Sequence, residues 1–292
     1  MDSSINSNQK QKYPNKINTK SLFDNIKSIY IYKGIFDNLH RRTLLKIIKY
    51  NKNEKKRLSI NNKDYKSFSE IEIEIIPAHN IYGKLINLSK KGEEIYYHIY
   101  FNNIDKEIKK NYFDETDKVS KIKIIIEYKI NSLSKLFNYC KYIETVYLKN
   151  FYLDNINNMS GMFFGCSNLQ KVYFSYFNAE KVKDISYMFY GCSKLKELNL
   201  STFRTNEITT MAHMFYECSS LEEINLSNLK INNIKNMSQM FSWCTSLEKI
   251  SFPNFKIKKK NVDMRWMFNG CQKELRLKIE AQNKIIKNEA FV

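Results

Sequence analysis

His213 and Cys218 sit five residues apart in the stretch MAHMFYECSS. A cysteine beside an imidazole is the pairing that produces a thiolate nucleophile, so this is the first place to look for chemistry. On a helix, however, residues i and i+5 point about 140° apart, which keeps the imidazole off the thiol. The other histidines, His40, His79 and His98, have no second ligand at metal spacing. The seven glycines form no G-x-G-x-x-G or phosphate loop. The expectation is therefore a chain with no enzymatic activity, no cofactor and no metal.

The thiol reads differently once all six cysteines are placed. Cys140, Cys166, Cys192, Cys218, Cys244 and Cys271 are separated by 26, 26, 26, 26 and 27 residues, and a fixed period of this length marks stacked repeats. In such a stack successive cysteines lie about one strand spacing apart, ~5 Å, close to the ~5.5 Å Cα separation of a disulfide. Disulfides or a soft metal would fit that spacing. So would a column of reduced thiols, because buried cysteine behaves as a small apolar group, and that is the reading preferred here.

The elements that position the cysteines share their phase. Ahead of each one stands an apolar stripe, as in Met159, Met162, Phe163 and Cys166, or Met211, Met214, Phe215 and Cys218. The spacing i, i+3, i+4, i+7 predicts a two-turn amphipathic helix. Ser132, Asn158, Asp184, Thr210, Asn236 and Asp263 precede the stripes, and each can accept a hydrogen bond from a free amide of the first turn. After the cysteine the period becomes twofold, as in Leu221, Ile224 and Leu226, which predicts a strand. The sixth unit departs from this pattern, with Glu274 where a leucine is expected and a strand reading Leu277 and Ile279. Such a unit reads as a terminal cap. One unit cannot bury its own apolar face, so stacking is obligatory.

MFYGCSKLKELNLSTF and MFYECSSLEEINLSNL closely resemble the leucine-rich repeats of the BspA-like type, over about residues 131–280. The resemblance implies an α/β fold: a right-handed leucine-rich-repeat solenoid of six ~26-residue helix-strand units, with a parallel sheet along one face. Members of that family are often bacterial or protist surface proteins acting in adhesion and protein binding, and the family has no catalytic residues to carry over.

A small α+β N-terminal region precedes the repeats. Residues 1–20 are polar and basic and read as a disordered arm. Residues 21–60 place Ile35, Phe36 and Leu39, then Leu44, Leu45, Ile47 and Ile48, at helical spacing around Arg41 and Arg42. That pattern faintly resembles an F-box, the module that docks adaptors of ubiquitin ligases; the plain alternative is a helical cap. Residues 61–118 read as a small β-rich region in which SEIEIEIIP, IYGKLINL and EIYYHIYF alternate, with a hairpin turn at Lys91-Gly92. In KVSKIKIIIEYKI, Ile122, Ile125, Ile130 and Leu133 follow the repeat phase. The solenoid with its C-terminal cap is therefore placed at 119–292.

The chain carries 48 basic and 30 acidic residues, a net +18. The excess is spread, +10 over residues 1–130 and +8 over 131–292, which argues against a nucleic-acid groove. MDSSINSNQKQKYPNK lacks the apolar core of a secretion signal. No apolar run approaches the ~20 residues of a membrane span. A cytoplasmic location is the expectation.

Function is then expected on the sheet face, at residues the repeat leaves outward: Tyr147 and Lys149; Tyr173 and Ser175; Glu197 and Asn199; Glu223, Asn225 and Ser227; Lys249 and Ser251. The reading is a scaffold binding a protein or peptide there, with Tyr147 and Tyr173 as anchors. A substrate-recognition subunit of a ubiquitin ligase, engaging its adaptor through 21–60, is the alternative. A surface adhesin or polyanion binder stands behind both.

Overall fold

The computed structural model describes Lys56 and residues 70–291, except 128, 150, 152–154, 175–177, 201, 253–261, 283–285 and 287. The arm expected at 1–20 and the F-box-like segment expected at 21–60 lie outside the described residues, as does Ser175. The chain divides into two compact units, 1–62 and 63–292, and the fold below is that of the second.

Strict alternation of isoleucine with glutamate makes strand β1, Ile71–Pro77, and buries Ile71, Ile73 and Ile75 completely. The motif IYGKLINL contributes only the two-residue strand β2, Gly83–Lys84. At the expected hairpin Gly92 does turn the chain, with φ 91°, but into a single 3-10 turn, Glu93–Tyr96. Strand β3, Tyr97–Phe101, follows, then β4, Tyr112–Phe113, which pairs with β2, and β5, Ile122–Ile126.

The repeats join this region through one sheet. Their first two strands are β6, Ile143–Lys149, and β7, Lys171–Phe174, and the sheet runs β3-β5-β1-β6-β7. Pairing is antiparallel up to β6 and parallel from β6 to β7. The segment at 119–130 was expected to begin the repeat sheet; β5 instead lies inside the antiparallel part, between β3 and β1. The strand that receives the repeats is β1. Its Glu74 meets Lys149 of β6 at 2.5 Å and Lys121 at 2.8 Å, which favours that edge.

The segments expected to be helices are chains of tight turns. The buried stripe is as expected, with Met159, Met162, Phe163 and Cys166 all fully buried. The backbone is not helical, because two residues in each unit take positive φ: Lys135 and Tyr139, Gly161 and Gly165, Tyr187 and Gly191, His213 and Glu217, Gln239 and Trp243, Trp266 and Gly270. Most of these are not glycine, and a left-handed residue with a side chain costs on the order of 1 kcal/mol.

Hydrogen bonds between repeats offset that cost. Leu133, Lys135, Phe137 and Tyr139 donate to the carbonyls of Asn158, Ser160, Met162 and Phe164 at 2.7–2.9 Å, and Met159, Gly161, Phe163 and Gly165 donate onward in the same way to the next unit. Intervening amides close turns within the unit, such as Leu136 to Leu133. Four columns of amide bonds thus run from repeat to repeat, all pointing the same way. The expected caps take part without capping a helix: Asn158 Oδ1 and Asp184 Oδ1 each accept from the serine amide two residues on, at 2.8 Å.

A buried ring ladder follows the same axis. Phe137, Phe163, Phe189, Phe215, Phe241 and Phe268 stack in sequence at 5.4–5.7 Å with interplanar angles of 4–15°, and Phe291 stacks on Phe268 at 5.5 Å as a further rung. Among the described residues three of the four columns are closed at the near end and two at the far end. Asn87 donates its amide to the Leu136 carbonyl at 2.7 Å and its Nδ2 to the Asn138 carbonyl at 2.9 Å, while Ser89 donates to the Ser134 carbonyl. At the far end Trp266 and Phe268 donate to the carbonyls of Glu289 and Ala290, both at 2.8 Å.

Two short strands, β8 at Asn178–Ala179 and β10 at Arg204–Thr205, pair in parallel. Strands β9, Glu197–Asn199, β11, Glu223–Asn225, and β12, Lys249–Ser251, form a separate parallel sheet. β7 and β9 are neighbours but share no ladder, so the single parallel sheet expected is interrupted there. The amides of Gln170, Glu222 and Glu248 each reach back one repeat to a carbonyl, whereas that of Lys196 does not.

The sixth unit is corrected as well. Its expected strand is an α-helix, α1, Lys273–Gln282. Leu275 and Ile279 are buried at i, i+4, and Leu277 falls on the outer side, 55% exposed. Among the described residues the second unit is thus a mixed antiparallel and parallel repeat fold with few helices.

Candidate functional site

The alternation of the repeat strands turns Val172, Leu198 and Ile224 inward and their neighbours outward. Register places those neighbours in two rows across the strands. One row holds Thr145 and Lys171 in the first sheet, then Glu197, Glu223 and Lys249 in the second. The other holds Tyr147 and Tyr173, then Asn199, Asn225 and Ser251.

Side-chain length along the second row shapes the surface. Tyr147 and Tyr173 stack at 4.9 Å and 11°. The row then drops to asparagine and serine, and a depression of about 520 Å³ opens where the rings end. Its floor is the strand backbone at Val172, Leu198 and Ile224, whose side chains turn the other way into the core, and the outward residues from Lys171 to Ser251 form its sides. A second depression of about 300 Å³ lies alongside, between Gln170, Lys196 and Glu222.

The expected site residues therefore separate into groups. Tyr173, Glu197, Asn199, Glu223, Asn225, Lys249 and Ser251 line the depression. Glu223 and Lys249 form an exposed pair at 3.2 Å, worth little in water. Ser227 sits at its margin, donating its amide to Asn225 Oδ1 at 3.0 Å. Lys149 is committed elsewhere, through its bond to Glu74. Burial pushes the Glu74 carboxyl up, but hydrogen bonds from Lys121 and Lys149 outweigh it and hold the group below its ordinary value. That tie was invisible in the sequence, since it depends on β1 pairing with β6.

The thiols do not belong to this surface. All six cysteines are buried and unbridged. Five of them donate to the phenylalanine carbonyl of the preceding repeat, from Cys166 on Phe137 at 3.0 Å to Cys271 on Phe241 at 3.1 Å. Burial pushes every thiol up, those of Cys140 and Cys271 to about 12, which suppresses the thiolate. Cys218 points at the Phe189 carbonyl at 3.1 Å. His213 instead stacks on Tyr187 at 4.6 Å, with Nδ1 buried and unpartnered and burial lowering its pKa. Among the described residues no three His, Cys, Asp or Glu side chains gather as a metal site.

The opposite, turn-bearing side carries aromatics that the sequence reading passed over. Phe164, Tyr190 and Tyr216 stack at 4.5 and 4.7 Å beside the Tyr187–His213 pair. Their spacing of 26 residues was the available signal.

Six units with one hydrogen-bonded phase define a repeat protein. The sequence matches the family described as "Mycoplasma protein of unknown function, DUF285" in three overlapping stretches, residues 108–198, 131–251 and 172–281. These span more than half of the chain, and it belongs to that family. Overlapping matches are what an internal period produces. No curated protein and no solved structure matches the chain. Among the described residues no helix is long and apolar enough to cross a membrane.

Proposed function

We propose that this chain is a non-enzymatic binding scaffold of the BspA-like leucine-rich-repeat type, and that it holds an extended protein or peptide segment on the outward sheet face. The observation that carries this reading is the depression over β7, β9, β11 and β12: exposed strand backbone bordered by the Tyr173 ring, amides and charges of both signs. An extended segment can dock on such a face with an aromatic anchor at one end and polar partners along the rest. The buried residues are spent on stacking, so the outward rows are the part of each repeat free to vary with a partner. A cytoplasmic location forms part of the proposal.

The test is a selection of randomised peptides displayed on phage against the full chain, followed by counter-screening on a variant carrying Asn199→Lys and Asn225→Lys. Those changes fill the depression without touching the core. Clones that bind the parent and lose binding to the variant support the reading. If every clone binds both equally, the sheet face is not the site.

A further inference from the structure

We infer that the depression reads an arginine side chain of its partner, stacked on Tyr173 and held by Glu197. The inference rests on the peptide-binding reading above and specifies what the peptide must contain.

Tyr173 is a column terminus. One face of its ring is covered by Tyr147 at 4.9 Å, nearly parallel, and the ring remains 44% exposed. The next residue in that row is Asn199, whose side chain is too short to continue the stack. A flat group of ring-like width entering the depression finds the open face of Tyr173 on one side and the amide row below. A guanidinium is such a group, since it is planar, stacks on aromatic faces and carries its charge with little hydration.

The lining charges balance overall, Lys171 and Lys249 against Glu197 and Glu223, so the preference for a cation is local to Glu197, which no lysine of the lining reaches within ion-pair distance among the described residues. Glu197 lies two residues before Asn199 on the same face of β9, ~6.6 Å along the strand, within reach of a guanidinium stacked over Asn199. Glu197 stands directly opposite Glu223 in the parallel ladder, a like-charge juxtaposition that disfavours the empty surface. Lys249 compensates Glu223 at 3.2 Å, but Glu197 makes no ion pair with a described residue. A ligand cation would supply the missing partner. Arginine satisfies both demands at once, stacking with its plane and donating two parallel bonds with its edge. Lysine can supply the charge but not the stack. The rest of the molecule carries a large positive charge, so the selection would be local, made by one carboxylate and one ring.

The experiment takes the peptides selected above and measures their affinity for the full chain by titration calorimetry. Each is compared with synthetic copies in which arginine is replaced by citrulline, a neutral isostere, or by lysine. The expected result is an arginine in the face-dependent peptides and a loss of roughly tenfold or more with citrulline. Lysine should be intermediate. Glu197→Gln should weaken the arginine peptide by a similar factor and leave the citrulline copy unaffected, whereas Tyr173→Ala should weaken the arginine peptide and, because citrulline keeps a plane that stacks, the citrulline copy as well but less. Face-dependent peptides that lack arginine, or that ignore Glu197→Gln, overturn this inference while leaving the peptide-binding reading standing. A selection with no face-dependent clone overturns both.

Discussion

Raising the pH should unfold this protein far earlier than its composition suggests, because six thiols are buried in it as neutral groups. Their folded pKa values lie above the ordinary value through burial, reaching about 12 for Cys140 and Cys271, against about 8.5 in an unfolded chain. Below pH 8 both states keep their protons and the thiols contribute no pH dependence. Above it the unfolded chain releases protons that the native state retains, so stability falls as pH rises from about 8.5 towards 12.

Between pH 8 and 10 linkage gives about 2 kcal/mol for each of Cys140 and Cys271, and the other four buried thiols act in the same direction. The two together already amount to a large share of the stability of a typical domain. The assay is urea unfolding followed by circular dichroism at pH 7, 8, 9 and 10. Lysine deprotonation acts in the opposite sense by relieving repulsion, so Cys192→Ala serves as the internal reference. It should cost stability at pH 7 through its small cavity, yet lose less stability than the parent between pH 8 and 10. Identical pH slopes for parent and variant would refute the account of a neutral buried column. Rapid native-state alkylation of Cys218 would contradict it too.

Two further outcomes concern the packing of the repeats. An added Cβ at Gly165 would meet the Tyr139 ring at 2.5 Å, whereas at Gly191 the nearest atom is 3.7 Å away; both residues have positive φ. Gly191→Ala should therefore cost about 1 kcal/mol, Gly165→Ala clearly more, with the excess removed in a Tyr139→Ala background as measured by a double-mutant cycle. Asn87→Ala should cost about 1–3 kcal/mol by leaving the Asn138 carbonyl at the column end without its Nδ2 donor, and hydrogen exchange should show the loss concentrated in the first repeat.

The repeat, its period and its buried face were determined by the sequence alone. Met, Phe and Cys at fixed spacing leave one energetically acceptable outcome, which is to hide that stripe against the next copy of itself. The outward rows followed from the strand period, and seven of the expected site residues line one depression. What the stripe could not reveal was the backbone carrying it. A two-turn helix and a chain of tight turns both put i, i+3, i+4 and i+7 on one side. The choice between them was made by neighbouring repeats, whose carbonyls accept the amides a helix would have used itself. Residues such as Tyr187, His213 and Trp243 hold positive φ only because those bonds are available.

The N-terminal junction was decided in the same way. Every isoleucine-rich strand from 71 to 126 alternates equally well, and alternation says nothing about which strand pairs with which. In the folded sheet β1 lies between β5 and β6, and its Glu74 is paired with a lysine from each side, Lys149 of β6 and Lys121 just before β5, a coincidence of three distant segments. The depression has a similar origin. It exists where a tall column of rings meets a short column of amides across two strands that do not pair, and only the stacked structure brings those edges together.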